Sequence, residues 1–234
     1  MFPSVNTASK DPDGLLAVGG DLSTTTLTLA YKNGIFPWFS DKSPILWWSP
    51  SQRCVIKPSD LHISRRLKQK LKQNKFRVTS DEVFEKVIKS CASNRKNSDT
   101  WITNEMIEAY IQLHYEGCAH SVEVWDDDNL VGGIYGVIIG SIFSGESMFS
   151  RTRDGSKVAI AHLCSWMKKV NMPLLDCQIE NPHLRSLGAI SLKRDDFIKI
   201  LKVERDRNIN WQFQPCTAWD LSLIHISEPT RRLV

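Results

Sequence analysis

Two short apolar stretches carry the polar side chains that could do chemistry. In LLDCQI (174–179), strict alternation puts Asp176 and Gln178 on one face of a strand and Leu175, Cys177 and Ile179 on the other. In IFSGESMF (142–149) the same rule groups Ile142, Ser144, Glu146 and Met148 against Phe143, Gly145, Ser147 and Phe149. A carboxylate inside a core is costly unless it is paired or hydrogen-bonded. Each acid alone could be neutralised by a nearby backbone or arginine group. Two of them on separate core strands, with Gln178 beside one, favour a functional site.

Other constellations surround these strands. Trp38, Trp47, Trp48, Trp101 and Tyr110 could pack in the core or offer faces on which a nucleobase stacks. The segment SRRLKQKLKQNK (64–75) spaces Leu67 and Leu71 one helical turn apart and covers the rest with cations. It contains no acid, which suits a phosphate backbone better than an ordinary solvated face. The loop RTRDGSK (151–157) precedes a helix, where coenzyme A-dependent acetyltransferases bind a pyrophosphate. Their [RQ]-x-x-G-x-[GA] pattern is absent, since Gly155 has Thr152 three residues before it and Lys157 two after. Coenzyme A chemistry is therefore disfavoured. Scattered histidines and the lack of an anchoring motif speak against metal hydrolysis and serine-type catalysis, and no cofactor is expected.

The elements that must hold these residues follow from periodicity. Residues 1–58 are rich in Gly, Pro and Trp and form a small, loop-rich unit, with a boundary expected at Pro58-Ser59. Helical spacing then covers 64–75, 81–93 and 103–117, with Thr103 or Asn104 as a cap and Gly117 as a stop. Period-two segments follow at 120–125, 130–139 and 142–149, joined by DDDN (126–129) and by a tight turn at Gly140-Ser141. A helix at 156–170, a strand at 173–179 and further helical pieces complete the pattern. The fold class is α+β, with helices on a mostly antiparallel sheet.

Composition sets the outer limits. With 41% hydrophobic and 24% charged residues, the 234-residue chain can bury a substantial core and is not disordered. No run is long enough for a membrane span, and MFPSVNTASK lacks a secretory apolar region, so a cytoplasmic protein is expected. The six cysteines form neither a C-x-x-C pair nor a zinc spacing and read as reduced thiols; no metal is expected. A net charge of +4 is too small to argue nucleic-acid binding without the local clustering described above. The stretch LSLIHISEPTRRLV (221–234) reads as a non-native tail, and the abrupt Phe2-Pro3 start suggests that a few N-terminal residues are missing.

GLLAVGGDLS, AYKNGIFPWFS, PILWWSP, TWIT, GGIYGV, GESMFSR and LLDCQ, in this order, resemble the bacterial leucyl/phenylalanyl-tRNA–protein transferases. The resemblance runs from Phe2 to about residue 216. It implies a small N-terminal domain (1–58) and a C-terminal domain of GNAT-like fold (59–220). It also implies transfer of Leu, Phe or Met from aminoacyl-tRNA to proteins beginning with Arg or Lys, marking them for degradation. The partners would be Leu-tRNA, Phe-tRNA and those proteins, and the chain would act as a monomer.

The resemblance further implies that Asp176 and Gln178 act at the attacking amine, with Gln178 orienting it and Asp176 polarising it or receiving its proton. The tRNA's own hydroxyl could instead relay that proton. Glu146 would line the same site, binding either the donor's amine or the acceptor. Ile134, Phe143, Met148, Leu163 and Leu175 would form the apolar pocket. Since Phe143 and Met148 alternate in facing, as do Leu175 and Asp176, both strands must bulge or splay, the first at Gly145. Trp38, Trp101 and Tyr110 would receive the 3′-terminal adenosine, and Arg65, Arg66, Lys68, Lys70 and Lys72 the acceptor-stem phosphates. The chain departs from the family pattern at SPSQR (49–53), at Gly155 and after Gly188-Ala189. Two other activities compete: a non-catalytic tRNA-binding module and an acyl-coenzyme A-dependent N-acetyltransferase.

Overall fold

The computed structural model describes residues 1–93, 102–217 and 219. Trp101 and the 221–234 stretch lie outside the described residues. In chain order the elements are β1 (Leu15–Val18), α1 (Thr24–Lys32), β2 (Phe36–Pro37), β3 (Leu46–Trp48), β4 (Gln52–Ile56), α2 (Arg65–Lys72), β5 (Arg77–Ser80), α3 (Phe84–Ser93) and α4 (Asn104–Tyr115). They continue with β6 (Ala119–Asp126), β7 (Asn129–Ile139), β8 (Ile142–Ser150), α5 (Gly155–Lys169), β9 (Leu174–Gln178), α6 (Pro182–Ser186), β10 (Ile190–Lys193) and α7 (Arg194–Glu204).

β1, β3 and β2 form a small sheet in that order, and the other seven strands form a sheet ordered β10-β4-β9-β8-β7-β6-β5. Every neighbouring pair is antiparallel except β8 and β9. The chain is therefore α+β, as its periodicities predict. β4, which precedes the boundary expected at residue 58, lies inside the large sheet, between β9 and β10. Five residues opening on Gln-Arg do not stand out as a core strand until their partners are known.

Local chemistry explains most of the helix ends. Ser64 caps α2 by accepting from the Leu67 N–H at 3.3 Å, and Leu67 and Leu71 are its buried positions. Thr103 caps α4 through the Met106 N–H at 3.1 Å, and Gly117 takes φ +73° after its end. Asp127 and Gly140 adopt positive φ in the two hairpin turns of β6-β7-β8.

The sheet is covered on both faces, which is why β7 reads as a continuous apolar run. Tyr31 of α1, Phe84 and Val87 of α3, and Met106 and Tyr110 of α4 pack with Tyr135 and Val137 on one side. Leu67 and Leu71 of α2 and Ile160, Leu163 and Met167 of α5 pack with Val122, Ile134 and Phe143 on the other. The segment after α7 closes over this second face: Trp211 lies 4.6 Å from Trp166 and stacks on His120 at 4.2 Å.

Candidate active site

Two backbone irregularities build the site. Tyr135 of β7 pairs with Ser147 of β8 and Gly136 with Gly145, so Glu146 is an extra residue bulged out of the ladder. The expected break at Gly145 thus falls one residue later. Gly136 permits the close approach, because a Cβ there would sit 2.2 Å from the Ser144 carbonyl oxygen. On β9, Val55 pairs with Asp176 and Cys54 with Gln178, which leaves Cys177 as the extra residue. Gln178 then takes φ +55°, in the left-handed region. The parallel β8–β9 pairing ends at Ser144 and Asp176.

A cavity of about 340 Å³ opens beside this point. Ile134, Met148, Ile160, Leu175 and Leu184 supply its apolar lining, and Glu146, Cys177, Gln178, Glu180 and Asn181 its polar edge. Phe36, Pro37 and Trp38 close it from the N-terminal unit, with Trp38 still 42% exposed.

Glu146 sits at the centre of a hydrogen-bond network. Its Oε1 accepts from Gln178 Nε2 at 2.9 Å and its Oε2 from the Tyr110 hydroxyl at 3.1 Å. That hydroxyl lies 2.5 Å from the hydroxyl of Tyr31, and both tyrosines are buried. Burial pushes the Glu146 carboxyl up to about 7, aided by the Asp176 charge. The Tyr31 and Tyr110 hydroxyls and the Arg53 guanidinium oppose that rise. Burial and the Glu146 charge together drive both phenols well above their usual range, so they act as neutral donors.

Asp176 has a different setting from the one its alternation suggests. It is 1% exposed and does not line the cavity, whereas Leu175, Cys177 and Gln178 do. The Cys177 bulge and the left-handed turn bring Gln178 round to the Leu175 side, so Asp176 and Gln178 do not share a face. Both Asp176 oxygens are engaged: Arg53 Nε donates to Oδ1 at 2.8 Å and Arg53 Nη2 to Oδ2 at 2.7 Å. The Gln178 N–H adds a bond to Oδ1 at 3.0 Å and the Ser144 hydroxyl one to Oδ2 at 3.3 Å. Arg53 is itself held between the rings of Phe36 and Phe197, 4.7 Å from each. Four hydrogen bonds on its two oxygens hold the Asp176 carboxylate against Arg53, Ser144 and the Gln178 backbone, outside the cavity lining.

The other expected positions divide. Ile134, Met148 and Leu175 line the cavity, while Phe143 and Leu163 are fully buried behind it, Phe143 against Trp211 at 5.6 Å. Ile160 and Leu184, not among the expected positions, line the cavity as well. Tyr110 is 0% exposed, so its ring has no free face for an adenine; its hydroxyl holds Glu146 instead. On α2, Arg65, Arg66 and Lys72 are exposed and Lys68 is half-buried. Lys70 is tied to the Arg153 carbonyl at 2.6 Å and to Asp154 at 3.6 Å. A second depression, lined by Met148, Ser150, Asp154, Lys157 and His183, shares Met148 with the cavity and includes the Asp154 that Lys70 contacts. Sequence reasoning missed Arg53, although the unmet need of a buried Asp176 for a partner pointed to some arginine. Asp81, His114 and His120 bring possible metal ligands within 4.8 Å. Their ring nitrogens already bond Asp81 and the carbonyls of Gly117 and Ala119, and none of the three lines the cavity.

Comparison with known proteins identifies the family. Residues 55–202 match the family described as leucyl/phenylalanyl-tRNA protein transferase, and residues 20–51 match its N-terminal domain. The chain belongs to this family. A leucyl/phenylalanyl-tRNA–protein transferase of Psychromonas ingrahamii is 50% identical over 227 residues, 97% of this chain and 93% of that one. The transferase of Cellvibrio japonicus is 47% identical over 224 residues, covering 93% and 95%. That of Hahella chejuensis is 50% identical over 204 residues, 87% of each. The protein is accordingly an aminoacyltransferase. The two matched segments abut between residues 51 and 55, where the large sheet begins. No helix among the described residues is long and apolar enough to cross a membrane.

Proposed function

We propose that the chain moves Leu, Phe or Met from the 3′ end of an aminoacyl-tRNA to the N-terminal Arg or Lys of a protein, forming a peptide bond. The observation that carries this reading is a carboxylate and an amide, Glu146 and Gln178, set 2.9 Å apart on the wall of an otherwise apolar cavity. The apolar end suits a hydrophobic side chain unbranched at Cβ, and discrimination among such side chains is modest per methylene. The polar edge suits an amine.

In the reaction the acceptor's ammonium group loses a proton and its nitrogen attacks the ester carbonyl. The new C–N bond forms, the C–O bond to the terminal ribose breaks, and the ribose oxygen leaves with a proton. The ester is already activated, so orientation and proton handling suffice. Glu146, titrating at about 7, is the group matched to receive a proton near neutrality. Gln178 has its amide N–H on Glu146, which leaves its carbonyl to accept from the amine and orient it. Asp176 acts indirectly, fixing the Gln178 backbone through its N–H. Trp38 at the rim offers a face for the terminal adenosine, and Arg65, Arg66, Lys68 and Lys72 supply sequence-independent phosphate contacts.

One assay tests this. Labelled Leu-tRNA or labelled acetyl-coenzyme A is offered with peptides beginning in Arg, Lys or Ala. Label passing from tRNA to the Arg and Lys peptides alone is expected. Label from acetyl-coenzyme A, or tRNA binding without transfer, would overturn it.

A further inference from the structure

Among the described residues, two charged side chains line the cavity, and both are carboxylates: Glu146 within and Glu180 at the mouth. A protein beginning with Arg or Lys presents two cations to such a cavity, its α-ammonium and its side-chain head. An acceptor beginning with Ala presents one. Glu180 follows Gln178 by two residues, a reach of at most about 7 Å. The three- or four-methylene stem of Arg or Lys spans that order of distance. Between them lies Ile179, 42% exposed and lining the same cavity, on which such a stem can rest.

Glu180 is also already shaped for a guanidinium. Its Oε2 is held by the Ser191 hydroxyl at 2.9 Å, which leaves Oε1 turned to Arg185 Nη2 at 2.5 Å. The Arg185 side chain is 68% exposed. Ion pairs this close to water contribute little, so an incoming cation can displace it.

We propose that Glu180 is the seat of the acceptor's first side chain, selecting Arg and Lys, and that Arg185 is an internal placeholder that competes for it. This rests on the reading that the acceptors begin with Arg or Lys. The two acids then have separate roles, Glu146 serving the reacting amine and Glu180 reading the residue that carries it.

The test uses the full chain, saturating Leu-tRNA and peptides beginning in Arg, Lys or Ala. Glu180→Gln is expected to raise KM for the Arg and Lys peptides about five- to tenfold. Arg185→Gln is expected to lower it, because the competitor is gone. A purely structural ion pair would shift both variants the same way. The exchanged variant Glu180→Arg/Arg185→Glu preserves a pair and is still expected to lose preference for the Arg peptide. KM moving in one direction for both single variants, or not moving in Glu180→Gln, overturns the proposal while transfer by the parent leaves the function intact. Failure of the parent to transfer to any of the peptides sinks both.

Discussion

Asp176→Ala is expected to destabilise the protein strongly, so that its first effect is on folding and not on chemistry. Asp176 and Arg53 are 1% and 2% exposed, and two hydrogen bonds of 2.7 and 2.8 Å join them. Truncating the acid strands a guanidinium between Phe36 and Phe197 with no counter-charge, a loss of about 3–5 kcal/mol for a broken buried pair. The Gln178 N–H and Ser144 hydroxyl lose an acceptor as well, roughly 1 kcal/mol each. These terms overlap, so the expected loss is about 4–5 kcal/mol, a large part of the 5–15 kcal/mol typical of a domain. Urea unfolding followed by circular dichroism should show a much lower midpoint at unchanged slope. Replacing both partners, Arg53→Met with Asp176→Leu, should recover most of the stability, because two apolar groups need no mutual charge. A wild-type midpoint for Asp176→Ala would refute the reasoning and return this residue to the chemistry.

Three further outcomes follow from the same geometry. The Glu146 carboxyl is raised from its ordinary range to about 7, so its share of stability is intact below pH 4.5 and is lost as pH rises through 7, by at most about 3 kcal/mol. Glu146→Gln should therefore unfold at higher urea than the parent above pH 7 while losing the acidic limb of kcat/KM, and a limb that persists would rule Glu146 out as its source. Tyr31→Phe removes a hydroxyl that favours the ionised form of Glu146, so that limb should move to higher pH by up to about one unit. Activity lost equally at pH 6.5 and 8.5 would contradict this. Arg65→Ala and Arg66→Ala should each flatten the log–log salt dependence of tRNA affinity by about 1, and unchanged slopes would take α2 off the tRNA path.

Much of the scaffold was legible from local signals. Leu67 and Leu71 one turn apart, the Thr103 cap and the Gly140-Ser141 turn each act through neighbours in sequence, and each appears where periodicity puts it. What could not be read was long-range. Arg53 and Asp176 are 123 residues apart, and no local pattern links them. Phe143 and Leu163 carry the same apolar chemistry as Ile160 and Leu184, so only packing separates the layer behind the cavity from its wall. Tyr110 reads as a platform until α1 places Tyr31 against it.

Strand alternation failed at Glu146 and Gln178, and for one reason. A period-two pattern assumes an unbroken ladder, and one extra residue reverses the facing of everything after it. At Glu146 the extra residue is turned out of the sheet toward Gln178 and the tyrosines. At Cys177 it is the spacer that lets Gln178 leave the face of Asp176 and join the cavity. The conflict that alternation creates, a pocket residue and a carboxylate on opposite faces, was therefore evidence for bulges rather than against the site. The N-terminal unit also reaches the cavity: the Tyr31 hydroxyl favours the ionised form of Glu146, Phe36 covers Arg53, and Trp38 rims the cavity, whose acids lie on the large sheet or just beyond β9.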